Sequence, residues 1–128
     1  MLGRAGRRAA AAVVGVSLLV VACGGPSVPV DAAPFTGKEA TVAAVNIAYD
    51  PDEVKLPAGF PLRIVLDNRD GGVAHDIKVY QGATTIAQSP AVTGPATTEV
   101  RFGPLTAGTY QFMCTVHTNM LGTLTVTP

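Results

Sequence analysis

The chain has 128 residues, 48% of them hydrophobic and 14% charged, with nine basic residues, nine acidic residues and two cysteines. That length holds one domain at most. With no cluster of Lys and Arg to meet phosphate, the composition argues against a nucleic-acid partner, and two cysteines allow a single disulfide at best.

The N-terminus does not read as part of that domain. Arg4, Arg7 and Arg8 precede a 14-residue apolar run, residues 9–22, which is too short for a comfortable membrane span and right for the hydrophobic region of an export signal. The run ends in Val-Val-Ala-Cys, which resembles the lipobox of bacterial lipoproteins and implies cleavage after Ala22 and a lipid on Cys23. A plain secretory signal and an uncleaved anchor helix are the alternatives, but the cysteine stands where lipoprotein processing requires it. Arg7-Arg8 also admits twin-arginine export, although the residues that normally follow such a pair are missing. Removing residues 1–22 leaves six basic against nine acidic residues, so the mature chain carries a net charge of about −3.

Residues 24–34 contain three prolines and two glycines and little that can pack, the composition of an extended tether. The expected organisation is a signal over 1–22, a lipidated N-terminus and tether over 23–37, and a domain over 38–128. From Thr41 the texture becomes short runs of Val, Ile, Thr, Tyr and Phe separated by Gly, Pro, Asn and Asp. Strands are expected at 41–48, 61–67, 74–80, 84–88, 97–102, 108–114 and 121–127, with a short one near 53–56. Seven or eight strands and no helical stripe predict an antiparallel β-sandwich with Greek-key connections. Alternation puts Leu62, Ile64 and Leu66 on one inward face and Tyr110, Phe112 and Cys114 on another. Cys114 is thus expected at the rim of the core.

The chain has two histidines, His75 and His117, and both fall at strand ends or loops. A lone buried histidine is more often a hydrogen-bonded core residue than a ligand. His117, however, lies three residues after Cys114 and three before Met120. One thiolate, two imidazoles and one thioether mix soft and borderline donors in the way copper prefers, whereas structural zinc seldom uses methionine. Met113, beside Cys114, points to the opposite strand face. If Cys23 carries a lipid, Cys114 is an unpaired thiol in an oxidising compartment, which calls for burial or a metal; a Cys23–Cys114 bridge would have to tie the core to the membrane anchor through eleven residues.

The segment GTYQFMCTVHTNMLGTLTV, residues 108–126, resembles the C-terminal copper loop of the cupredoxins, the small blue copper proteins, and VLDNRDGGVAHDIKVY at 65–80 resembles the segment that delivers their first histidine. The spacing of His117 and Met120 is similar to amicyanin rather than plastocyanin. The resemblance spans roughly 41–127. It implies a cupredoxin-like sandwich with one type 1 copper ion per chain, bound by His75, Cys114 and His117 with Met120 as the weak axial ligand. Two departures stand out: Asp76 follows His75 where many relatives carry asparagine, and Val116 and Thr118 flank His117 where amicyanin-like chains carry prolines.

The implied function is one-electron transfer at the outer face of the cell membrane, with the chain a lipid-anchored monomer, His117 as the electron exit, and redox proteins as donor and acceptor. Val116, Leu121 and the 69–74 loop are expected to border the docking surface. Serine occurs only at 17, 27 and 89, without a nucleophile motif, and no enzyme is expected. The competing readings are a copper storage or delivery lipoprotein and a metal-free adhesive scaffold.

Overall fold

A computed structural model describes residues 34–128. The signal, the lipidation position Cys23 and the tether up to residue 33 lie outside the described residues. Eleven strands follow in order: β1 Lys38–Ala44, β2 Tyr49–Asp50, β3 Glu53–Pro57, β4 Leu62–Asn68, β5 Ala74–His75, β6 Lys78–Gln81, β7 Thr84–Gln88, β8 Val92–Thr93, β9 Ala96–Phe102, β10 Gly108–Met113 and β11 Leu121–Thr127. No helix occurs among these residues.

The strands form two main sheets, ordered β2-β1-β4-β9 and β3-β11-β10-β6-β7, and a small β5-β8 ladder. Each sheet is apolar on one face because its strands alternate: Leu62, Ile64 and Leu66 of β4 are fully buried while Arg63, Val65 and Asp67 between them are not. Val42, Val100 and Phe102 from the first sheet meet Val54, Leu56, Val79, Tyr110, Phe112, Leu124 and Val126 from the second in one core. Burying a side chain of this size stabilises by about 1.5–3 kcal/mol. The sandwich stands on some fifteen such residues.

Pairing departs from the expected all-antiparallel pattern in two places. β1 runs parallel to β4, and β3 runs parallel to β11. The cause is the route of the chain: after β2 it crosses to the second sheet as β3, then returns as β4 beside β1. Parallel neighbours need a crossover of that kind.

Two expected strands are also re-cut. The 41–48 run ends at Ala44, because residues 45–48 form a tight turn in which Val45 and Ala48 exchange both backbone hydrogen bonds, at 2.9 and 3.1 Å. The 74–80 run splits because His75, Asp76 and Ile77 are buried consecutively, which a regular strand cannot achieve. There Ser89 replaces the ladder, its Oγ accepting from Ile77 N–H at 3.0 Å and its N–H donating to Ile77 O at 2.9 Å.

The end of the expected tether belongs to the domain. Phe35 lies under the guanidinium groups of Arg63 and Arg101, at 4.6 and 5.5 Å from its ring centroid. Gly37 makes this possible, since a Cβ there would sit 2.1 Å from Pro61 O and 2.4 Å from Phe35 Cζ. This clamp occupies the end of the first sheet where Lys38 pairs with Leu62; the other end, where Ala44 pairs with Asn68, leads into the loop before His75. The two ends are separated by the length of β4, roughly 20 Å.

Candidate metal centre

β10 ends at Met113, and Cys114 is the next residue, fully buried and unpaired among the described residues. From it the chain makes a closed loop: Met120 N–H donates to His117 O at 2.9 Å, and Cys114 N–H donates to Met120 O at 3.1 Å. The loop is therefore held by its own backbone and by its registration on β11. His117 N–H also points at Cys114 Sγ, 3.4 Å away.

His75 arrives from the first sheet's side, at the end of β5, and its ring is fully buried. Its Nδ1 lies 3.8 Å from Cys114 Sγ, and its ring stands 4.9 Å from that of His117. One donor atom from each of His75, Cys114 and His117 falls within 4.8 Å of the other two. Met120 is 1% exposed and its backbone is bonded to that of Cys114. The structure thus gathers three of the expected ligands into one cluster and returns the fourth to the same strand end.

One atom in the cluster has no conventional role. His117 Nδ1 is buried and has no hydrogen-bond partner. Leaving such a nitrogen unmet costs about 1–3 kcal/mol, and native structures rarely tolerate it without a functional reason. A metal supplies the missing partner. The donor set of one sulfur, two imidazoles and a neighbouring thioether fits copper better than zinc.

The surroundings hold the donors in place. Asp76 is 1% exposed and joins the two ligand-bearing segments: its Oδ1 accepts from Thr115 N–H at 2.6 Å, and its Oδ2 accepts from the Thr115 hydroxyl and from Gln88 Nε2. Burial raises the pKa of this carboxyl, yet the bonds from Thr115 and Gln88 outweigh it and leave the group below the ordinary carboxylate value. Aspartate thus serves as an acceptor toward every neighbour. Tyr49 donates its hydroxyl to Asp76 O at 2.7 Å, and burial, the larger cause, together with the charges of Cys114 and Asp76 pushes its pKa far up, so it remains a donor.

Asn68 fixes the loop that leads to His75. Fully buried, it donates to Val73 O and Val92 O at 2.8 and 2.9 Å and accepts from Asp70 N–H at 3.0 Å. Asp70 in turn accepts from His75 Nε2 at 2.8 Å. Hydrogen bonds from Ile47 N–H, His75 and Asn46 N–H lower its pKa against a smaller effect of burial. Asn68 and Asp70 were not among the residues singled out by sequence. The only available signal was an acid in a glycine-containing loop five residues before a histidine.

His117 is partly exposed, and the side chains beside it in the loop include two large exposed apolar ones, Val116 at 48% and Leu121 at 55%. Ile47, at the tip of the 45–48 turn, is a third at 41%.

Comparison with known proteins agrees with this geometry. A family model described as a cupredoxin-like domain matches residues 14–126. Auracyanin A, described as a "blue" copper protein from the green thermophilic photosynthetic bacterium Chloroflexus aurantiacus, superposes with a TM-score of 0.62 at 26% identity over 71% of this chain and 100% of its own. An auracyanin from Roseiflexus castenholzii gives 0.63 at 21% identity over 71% and 97%, and amicyanin from Paracoccus versutus gives 0.55 at 22% over 79% and 86%; these two show likeness of fold. No curated protein sequence matches the chain significantly.

Proposed function

The chain belongs to the cupredoxin-like domain family, and from that premise we propose that it is a one-electron carrier with a single type 1 copper ion that His75, Cys114, His117 and Met120 would hold. The observation that carries this reading is the cluster of donor atoms from His75, Cys114 and His117, together with a buried His117 Nδ1 that has no hydrogen-bond partner. Copper supplies a one-electron couple, Cu(I)/Cu(II), and the chain's residues do the rest. The Cys114–Met120 loop is closed by its own hydrogen bonds, and Asp76 and Asp70 hold the flanking groups, so the donors need not move when the charge changes. Little reorganisation means a low barrier to transfer. Four protein donors leave no position for a substrate, which argues for a carrier rather than an enzyme. His117, at the partly exposed edge, would be the exit for the electron, and Val116 and Leu121 offer an apolar rim for brief docking of redox partner proteins.

The same proposal places the carrier as a monomer outside the cell, anchored through a lipid on Cys23.

The test is spectroscopic. Copper-loaded protein is expected to show the intense visible band of a Cu–thiolate bond, to lose it in Cys114→Ala, and to cycle reversibly. A chain that binds only Cu(I) and yields it to a chelator would favour delivery over electron transfer; a chain with no thiolate band would sink the proposal. Mass spectrometry of the purified full-length protein would reveal a lipid on Cys23, and an unmodified cysteine would remove the anchor from the reading.

A further inference from the structure

The imidazole of His75 has two nitrogens, and only Nδ1 faces Cys114. Nε2 lies 2.8 Å from Asp70 Oδ2, with the ring wholly excluded from solvent and the Asp70 side chain 12% exposed. The same carboxylate takes two further donors, Asn46 N–H at 2.7 Å to Oδ1 and Ile47 N–H at 2.9 Å to Oδ2. One carboxylate therefore ties the β1–β2 turn to the far side of a metal-facing ring.

The turn carries an unusual expense. Its two central residues, Asn46 and Ile47, have φ of 52° and 57°. Asparagine adopts the left-handed region readily, but a β-branched residue there is an outlier, and glycine is the ordinary choice at the second position of such a turn. What the conformation achieves is convergence: consecutive N–H groups in left-handed geometry point to one side and form a concave anion site. That site holds Asp70. Backbone strain beside a functional group is grounds for inferring a role.

We propose that Asp70, cradled by the 45–48 turn, is the positioning residue of the metal centre, fixing His75 with its proton on Nε2 and Nδ1 free for the metal. This deepens the copper reading above and rests on it. A carboxylate behind an imidazole ligand orients the ring and fixes its tautomer. Its negative charge also favours the more positive oxidation state of a bound metal, so Asp70 lowers the reduction potential and keeps His75 bound in both states.

The experiment has two arms. In the metal-free protein, nitrogen-detected NMR of His75 is expected to show the proton on Nε2, in a slowly exchanging hydrogen bond; a proton on Nδ1 would overturn the proposal without any variant having to fold. In the copper-loaded protein, Asp70→Asn is expected to raise the reduction potential and weaken Cu(II) binding about 10- to 100-fold while keeping the Cu–thiolate band, with partial recovery in Asp70→Glu. Asp70→Asn with an unchanged potential and unchanged Cu(II) affinity would refute the assignment. Failure of the chain to form a Cu–thiolate bond would refute the copper reading and still leave the His75 tautomer measurable.

Discussion

Asp76 shows how one charge shapes this centre. An amide at that position has a single acceptor oxygen and cannot meet donors on both sides, whereas the carboxylate accepts from the Thr115 N–H on one oxygen and from the Thr115 hydroxyl and Gln88 on the other. Its pKa is lowered on folding, as is that of Asp70, so the sign of the pH dependence follows. Above the ordinary carboxylate value of about 4 both groups are ionised in the folded and unfolded chain, and their stabilisation is fully present. As pH falls, the unfolded chain takes up protons first, and the stabilisation is lost as pH drops through the lowered folded values. Urea unfolding of the metal-free protein should thus show stability falling from about pH 5 downward. In Asp76→Asn the fall should be shallower, with stability at pH 7 lower by about 1–3 kcal/mol from the unmet donor; an unchanged slope would contradict the account. Cys114, His117 and Met120 were readable in sequence because their chemistry is in the residue type and their spacing is short, and His75 because the chain has only one other histidine. Asp70 was not, because its contact with His75 exists only once the 45–48 turn has closed over it.

Among the elements, β10 and β11 carry the sulfur to its place, and their pairing depends on one glycine. Phe112 stands opposite Gly122, and a Cβ at Gly122 would come within 2.1 Å of Phe112 Cζ. The ring lies over that glycine and also packs against Tyr49, 5.0 Å away in an edge-on arrangement. Phe112 is itself fully buried, so the ring has little room to shift. Gly122→Ala is expected to destabilise the protein by about 1–3 kcal/mol through overpacking, read by denaturant unfolding, and to perturb the Cu–thiolate band, because Cys114 lies two residues beyond Phe112. A neutral effect on both would show that the ring can move. Period-2 alternation made these strands legible, since it reports which face is buried. The same rule failed at 74–80, where three consecutive buried residues hand the chain from the β5-β8 ladder to the second sheet. It failed also at 45–48, where a turn containing Asn46 and Ile47 lacks the glycine that would have signalled it.

For the molecule as a whole, the two ends of the sandwich do different work. The end bearing Phe35 carries the cation–π clamp, and the end bearing His75 and Cys114 carries the donor cluster. Phe35→Ala removes two cation–π contacts, each worth about 0.5–1 kcal/mol at a partly exposed site, along with the cover that the ring gives to β4 and β9. A lower thermal midpoint with an unaltered copper spectrum is expected, because the clamp is roughly 20 Å from the ligand loop; a shifted spectrum would mean the two ends are coupled. The surface ion pairs of Arg63 with Glu39 and Glu99 and of Arg101 with Glu99 hold the guanidinium groups over the ring, though exposed pairs of this kind add little stability themselves.

The sequence by itself determined the donor chemistry, the faces of the long strands and the rim position of Cys114, because residue type, period-2 burial and three-residue spacing are local properties. Only the tertiary structure decided the parallel pairings, the approach of His75 to a cysteine 39 residues away and the carboxylate that holds that histidine from behind. Those features depend on which backbone N–H and C=O groups meet after the sheets pack, and a strained turn or a buried acid has no short-range pattern by which to announce itself.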